Sequence, residues 1–205
     1  VGEAITDSTN GLVTVRTCGR TGPFLLRLEG RAGAKYFDEG LNQLTDFGPG
    51  NVLHALVDKW DEHVGVSPIT EAAYRFALNY IKINPSDVAE GRTPLRAAGS
   101  LVGLTKAQVA SANKWVQDEV NRRFTTNYQL VSAKALPTPV DATSPSNAMN
   151  DNRYGRSAAV NGGLVQAAQY YNPAIAQPAL AFADQLARDL TDGLINGFAL
   201  DGSQV

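Results

Sequence analysis

The 205-residue chain is poorest in the side chains that bind metals and form covalent links. It has one cysteine, Cys18, and two histidines, His54 and His63. That poverty excludes cysteine-rich zinc sites, iron–sulfur ligation and a c-type haem box. Charge is also scarce, at 19% of residues, and 18 basic side chains against 20 acidic ones leave a formal net charge of −2. Such a balance provides no basic face for phosphates, so nucleic acid is not an expected partner. No apolar run reaches the roughly 18 residues of a transmembrane helix, so no membrane span is expected. Neither a Walker-type phosphate loop nor a G-x-G-x-x-G after a strand occurs, and no cofactor is expected. Val1-Gly2-Glu3 has neither the basic start nor the apolar stretch of a signal peptide, which reads as a soluble domain or a processed fragment.

What is present suffices for a core. Hydrophobic residues make up 43% of the chain, and a chain of this length buries about 70% of its unfolded surface on folding. The first third has strand patterning. Leu12-Val13-Thr14-Val15-Arg16-Thr17 alternates apolar and polar residues, the period of a half-buried strand. The turn signal Asn10-Gly11 precedes it, and Gly19 to Pro23 reads as a turn after it. Phe24 to Glu29 predicts a second strand, and Tyr36-Phe37 starts a third. Asp46 to Asn51 is a breaker cluster, and the apolar stretch Val52 to Val57 fits either strand or helix. Val64-Gly65-Val66 reads as strand.

The period changes near Pro68. A helix opens there, with Ser67 or Thr70 as cap, Pro68 in the first turn, and Tyr74, Ala77, Leu78 and Ile81 at helical spacing before Asn84-Pro85. A longer helix opens at Thr105, with Val109, Ala112, Val116 and Val120 as its apolar stripe and Trp115 beside it. The polar stretch 138–152 reads as an exposed loop. Two further helices are expected over Tyr154–Tyr171 and Pro173–Thr191, the second with Leu180, Ala183, Leu186, Ala187 and Leu190 on one side. The expected fold class is α+β: a β portion over 1–66, then a mostly helical subdomain over 67–205.

Several of these segments carry a resemblance. Gly11-Leu12-Val13-Thr14-Val15, Gly22-Pro23-Phe24-Leu25-Leu26-Arg27-Leu28-Glu29-Gly30 and Tyr36-Phe37-Asp38-Glu39 resemble the second half of carboxypeptidase-regulatory-like, Ig-type β-sandwich modules of exported bacterial proteins. Val66-Ser67-Pro68-Ile69-Thr70-Glu71-Ala72 and Asp192-Gly193-Leu194-Ile195-Asn196-Gly197 resemble motifs that follow such modules. The resemblance implies a partial β-sandwich at the N-terminus, a helical region after it, and an exported, non-enzymatic surface or envelope protein in adhesion, scaffolding or assembly. It brings no catalytic residues with it. A full module has two or three strands before Asn10, so the sandwich is expected to be incomplete here.

The chemistry-bearing clusters have plainer readings beside the functional ones. Ser111-Ala112-Asn113-Lys114 matches the S-x-x-K of serine acylases but lacks the S-D-N and K-T-G partners of that chemistry. Asp61, Glu62 and His63, after Trp60, have the ingredients of a hydrolase site or, more simply, of a solvated turn. His54 sits in an apolar stretch as a packed or edge residue. Asp189, Asp192, Asn196 and Asp201 resemble a calcium loop in composition but lack the alternate oxygens and the final glutamate, and capping explains them. Tyr170, Tyr171 and Tyr154, with Tyr128, are candidates for a glycan or peptide surface, or for aromatics packed at a helix end. Cys18 is either half of a disulfide to an upstream partner or a free buried thiol.

An incomplete sandwich leaves a strand edge with unpaired N–H and C=O groups. The expected assembly edge is the strand carrying Leu12, Val13 and Val15, open to self-association or to an upstream segment.

Overall fold

The computed structural model describes residues 3–6, 13–38, 40–59, 64–80, 104–124, 153–174, 177–198 and 202–205. Among the described residues the chain is mixed α/β, with four short strands in two small antiparallel sheets, followed by four helices. The strands are β1 (Phe24–Glu29), β2 (Lys35–Asp38), β3 (Gln43–Asp46) and β4 (Val52–Val57). β1 pairs with β4, placing Arg27 opposite His54 and Glu29 opposite Val52. The β2–β3 hairpin is nested between them, with Lys35 opposite Asp46.

The two sheets are parts of one interrupted ribbon. Gly30 N donates to Asn51 O at 2.8 Å, Arg31 N to Phe47 O at 3.1 Å, and Phe47 N to Ala34 O at 2.8 Å. These bonds carry the pairing past the break between β1 and β2. Gly30 is required there, because a Cβ would lie 2.2 Å from the carbonyl oxygen of Gly48. Such close backbone approach is a recurrent reason for glycine inside a strand pattern. At the far end, buried Asp38 accepts from the N–H groups of Gly40 and Leu41, each at 3.0 Å, and closes the hairpin turn. Gly40 packs so tightly on Val165 that a Cβ would meet its side chain at 2.4 Å.

The helices are α1 (Pro68–Tyr80), α2 (Lys106–Phe124), α3 (Arg153–Tyr171) and α4 (Pro178–Asp189), and a 3-10 turn, Leu190–Asp192, follows α4. Ser67 and Thr70 cap α1 reciprocally: Thr70 N donates to Ser67 Oγ at 3.3 Å, and Ser67 N donates to Thr70 Oγ1 at 2.8 Å. Pro68 occupies the first helical position, where a missing N–H costs nothing. Thr105 and Gln108 cap α2 in the same manner.

The core lies where α1 meets β4, α2 and α4. Ile69, Ala72, Ala73, Phe76 and Ala77 of α1 are buried against Leu56, Leu186, Ala187 and Leu190. The stripe expected on α2 is the one found, since Val109, Ala112, Val116 and Val120 are all buried. Full burial of side chains such as Ile69 and Phe76 contributes about 1.5–3 kcal/mol each. Small residues, Ala72, Ala73 and Ala77, let α1 approach its neighbours closely. Among the described residues no helix is long and apolar enough to cross a membrane.

Several expectations need correction. Val13 to Thr17 forms no strand. Instead Arg20 N donates to Thr17 O at 3.1 Å, and Cys18 and Gly19 have φ of 52° and 76°. That is the φ pattern of a type I′ turn, so the chain reverses at Cys18-Gly19, at the start of the expected turn Gly19 to Pro23. Val64 to Val66 is not a strand either. The strand β3, Gln43–Asp46, lies just before the breaker cluster, where no strand was expected, and the ambiguous stretch 52–57 is strand. The last helix starts at Pro178 rather than Pro173, because Asn172 to Ala174 leave the helix as a turn. The expected exposed loop 138–152 lies outside the described residues.

Candidate functional site

One residue of β4 organises the polar groups of the interior. His54 N–H donates to Glu71 Oε2 at 2.6 Å, and its ring Nδ1 lies 2.8 Å from the same oxygen. A carboxylate only accepts, so that geometry assigns the ring proton to Nδ1. The His54 carbonyl accepts from the Thr70 hydroxyl at 2.9 Å. The ring stacks on Tyr74, with centroids 4.3 Å apart and planes inclined by 25°. Glu71 is 2% exposed. Its second oxygen accepts from Arg75 Nε at 2.7 Å, and Arg75 also pairs with Asp184 on α4. Strand β4, helix α1 and helix α4 are thus joined through His54, Glu71, Arg75 and Asp184.

The electrostatics follow from that arrangement. Burial raises the Tyr74 pKa, the nearby Glu71 charge adds to the rise, and Arg75 and Arg27 oppose it. Burial works against the charged form of Arg75, but its hydrogen bonds and charge pairing with Glu71 and Asp184 outweigh that and raise its pKa.

A histidine held by a carboxylate has half the parts of a general-base relay. Among the described residues no serine, threonine or cysteine side chain hydrogen-bonds to the His54 ring. What the pair does instead is seal the outer edge of β4. Both backbone groups of His54 are satisfied by α1 side chains, and Leu56 O accepts from Asn113 Nδ2 of α2 at 2.7 Å. Three side chains stand where a neighbouring strand would.

The same alternation fixes the opposite edge. The backbone groups of His54 turn away from β1, so Arg27 opposite is a non-hydrogen-bonded partner whose own N–H and C=O turn outward. Leu25 and Glu29 share that orientation by the two-residue period. Among the described residues no hydrogen bond reaches these outward groups. The side chains of Leu25, Arg27 and Glu29 are exposed, alternating with half-buried Phe24, Leu26 and Leu28.

A second polar group fastens the C-terminal segment. Trp115 Nε1 donates to Gly193 O at 2.7 Å. Glu119 accepts from Ile195 N at 2.9 Å and pairs with Arg122 and Arg123. Burial opposes the Glu119 charge, but the Ile195 N–H and the two arginines outweigh it, and its pKa is lowered. Asp189 accepts from the N–H groups of Asn196 and Gly197 at 3.0 and 2.9 Å, and Asp192 accepts from Leu194 N at 2.8 Å. The carboxylates whose composition resembled a calcium loop are therefore turned on backbone N–H groups, with Asp201 outside the described residues. Beside them, Phe182, Leu186, Ile195 and Val205 line a shallow cleft of about 160 Å³, smaller than the roughly 300 Å³ at which ligand pockets begin.

The other sequence candidates scatter. Trp60, Asp61, Glu62, His63, Leu12 and Tyr128 lie outside the described residues. Val13 and Val15 precede the type I′ turn without forming an edge strand. Tyr170 is 81% exposed near the end of α3, whereas the side chains of Tyr154 and Tyr171 are outside the described set. Cys18 is exposed and free rather than buried. Lys114 pairs with Asp118, one turn along α2, and Ser111 is exposed. Glu71, Arg75 and Asp184 were missed. The legible signal was a Glu–Arg pair four apart on one helix, but nothing in the pattern placed His54 beside it. Compared with protein-family models, with curated proteins and with solved structures, the chain gives no match in any of the three.

Proposed function

We propose that this chain is a non-enzymatic, exported module of a surface or envelope, acting in adhesion, scaffolding or assembly. The observation that carries the reading is the unequal treatment of the two ribbon edges: β4 is closed by Thr70, Glu71 and Asn113, whereas among the described residues nothing pairs with the edge of β1 at Leu25, Arg27 and Glu29. An open edge is a template for main-chain pairing, and proteins that do not pair there normally cover it. The β portion is then a piece of an Ig-type sandwich that receives a further strand at that edge. Hydrolase chemistry is not needed to account for His54 and Glu71, since both are engaged in fastening β4 to α1.

The test runs two measurements side by side. Light scattering from 1 to about 500 µM is expected to give a mass that rises with concentration, because edge pairing at this scale is weak. A panel of ester, peptide and glycoside substrates is expected to give no turnover. Turnover abolished in both His54→Ala and Glu71→Gln overturns the reading. A glycan surface is the second reading, favoured by the exposure of Tyr170; a glycan-array signal lost in Tyr170→Ala would establish it.

A further inference from the structure

We infer that the open edge of β1 pairs with the same edge of a second copy, antiparallel, about a two-fold axis through Leu28. This rests on the assembly reading above and names its partner. The occupant is selected by charge. Arg27 and Glu29 stand on one exposed face of β1, 54% and 56% exposed, and pair with each other within the strand, so the two-fold contact sets two such pairs side by side with opposite charges facing across the axis. With the axis at Leu28, Arg27 of each copy lies opposite Glu29 of the other, and both residues have their N–H and C=O turned outward. Each such pair exchanges two N–H···O=C bonds, so the two pairs supply about four main-chain bonds and two ion pairs.

The neighbouring registers are worse for reasons visible in the sequence. An axis through Arg27 sets two guanidinium groups directly opposite each other, which is destabilising. An axis through Leu26 sets Glu29 against Pro23, which has no N–H to donate. Extension beyond Glu29 is limited, because Arg31 N is turned inward to Phe47 O. The contact is therefore short, and the association it supports is weak and reversible.

The experiment is sedimentation equilibrium on the full chain, with backbone amide exchange by NMR read at low and high concentration. In the unaltered protein, the amides of Leu25, Arg27 and Glu29 are expected to be fast-exchanging when dilute and slowed when concentrated. Arg27→Glu and Glu29→Arg each create like charges across the axis as well as within β1, where the two side chains pair, and are expected to weaken self-association by about 10-fold or more, a shift of about 1.4 kcal/mol. Mixing the two variants restores opposite charges in a heterodimer, and the Arg27→Glu/Glu29→Arg double variant restores them in a homodimer. Both are expected to recover most of the affinity. Circular dichroism checks that each variant keeps the fold, and the exposure of both side chains favours that.

Association that is equal in all variants overturns the Leu28 register while leaving assembly through another surface intact. Amides already protected at low concentration overturn the inference by showing that another part of the chain covers the edge. A monomer at about 500 µM with all three amides fast also overturns it. Substrate turnover is read separately and bears only on the function proposed above.

Discussion

Glu71 Oε2 holds His54 twice, at the backbone nitrogen (2.6 Å) and at ring Nδ1 (2.8 Å). One oxygen thus fixes both the strand edge and the ring that stacks on Tyr74. The carboxylate is buried, and its ionic partner Arg75 is half-exposed and bridges on to Asp184.

Removing that carboxylate strands a buried N–H. Glu71→Ala is expected to destabilise the chain by about 2 kcal/mol, mainly from leaving the buried His54 N–H without its acceptor, since Arg75 is half-exposed and keeps Asp184. Asp184→Asn, at an exposed position, is expected to cost less than about 1 kcal/mol. Urea unfolding of the two variants beside the parent checks the contrast, and equal midpoints would contradict the role assigned to Glu71.

The lowered pKa of Glu119 makes a signed prediction about acid. A carboxyl whose folded pKa lies below its unfolded value stabilises the fold fully above the unfolded value, about 4.3 for glutamate. That contribution is lost as pH falls through the folded pKa. Glu119→Gln is therefore expected to flatten the fall in stability below about pH 4.3, besides lowering stability at neutral pH. Parallel acid-unfolding curves that keep the same slope would remove Glu119 from this role.

The raised pKa of Tyr74 acts at the other end of the scale. A group with a raised folded pKa stabilises the fold below its unfolded value, about 10 for tyrosine, and loses that contribution as pH rises through the folded pKa. Tyr74→Phe is expected to remove the part of the alkaline destabilisation that begins above about pH 10. Stability measured against pH in both proteins decides it, with tyrosinate absorbance as the direct check that one tyrosine ionises late.

Gly30 offers a steric test of the ribbon. Gly30→Ala sets a methyl group against the carbonyls of Phe47 and Gly48, which are backbone and cannot rotate aside. A cost of about 1–3 kcal/mol is expected from such overpacking. Gly48→Ala, where a Cβ meets nothing within 4 Å, is the control. Thermal midpoints that fall equally in both would show that Gly30 is not at a tight crossing.

The helices were the most legible part of the chain. Val109, Ala112, Val116 and Val120 recur at the helical period, and Ser67-Pro68 with Thr70 is a start signal whose chemistry is local. The strands were harder, because half of what defines them is a partner elsewhere. Gln43–Asp46 has one apolar residue, Leu44, which is itself exposed, and it is a strand only because Lys35–Asp38 lies beside it. Val13 to Thr17 has the alternating pattern but forms no strand, with no strand partner among the described residues. The polar interior was least legible: Glu71 and Arg75 are neighbours on one helix, but His54 is 17 residues upstream and Asp184 lies 109 residues after Arg75. Such long-range convergence leaves no spacing to read.

The closure of β4 by Thr70, Glu71 and Asn113 also sets the valence of the β ribbon. A sheet with two sticky sides is a divalent monomer, and divalent monomers grow into filaments. A sheet with one side stopped is monovalent, and whatever joins it ends the growth. Side chains borrowed from two helices act as a chain terminator built into the fold, so that the pairing proposed at β1 would stop at pairs instead of growing into fibres along this axis.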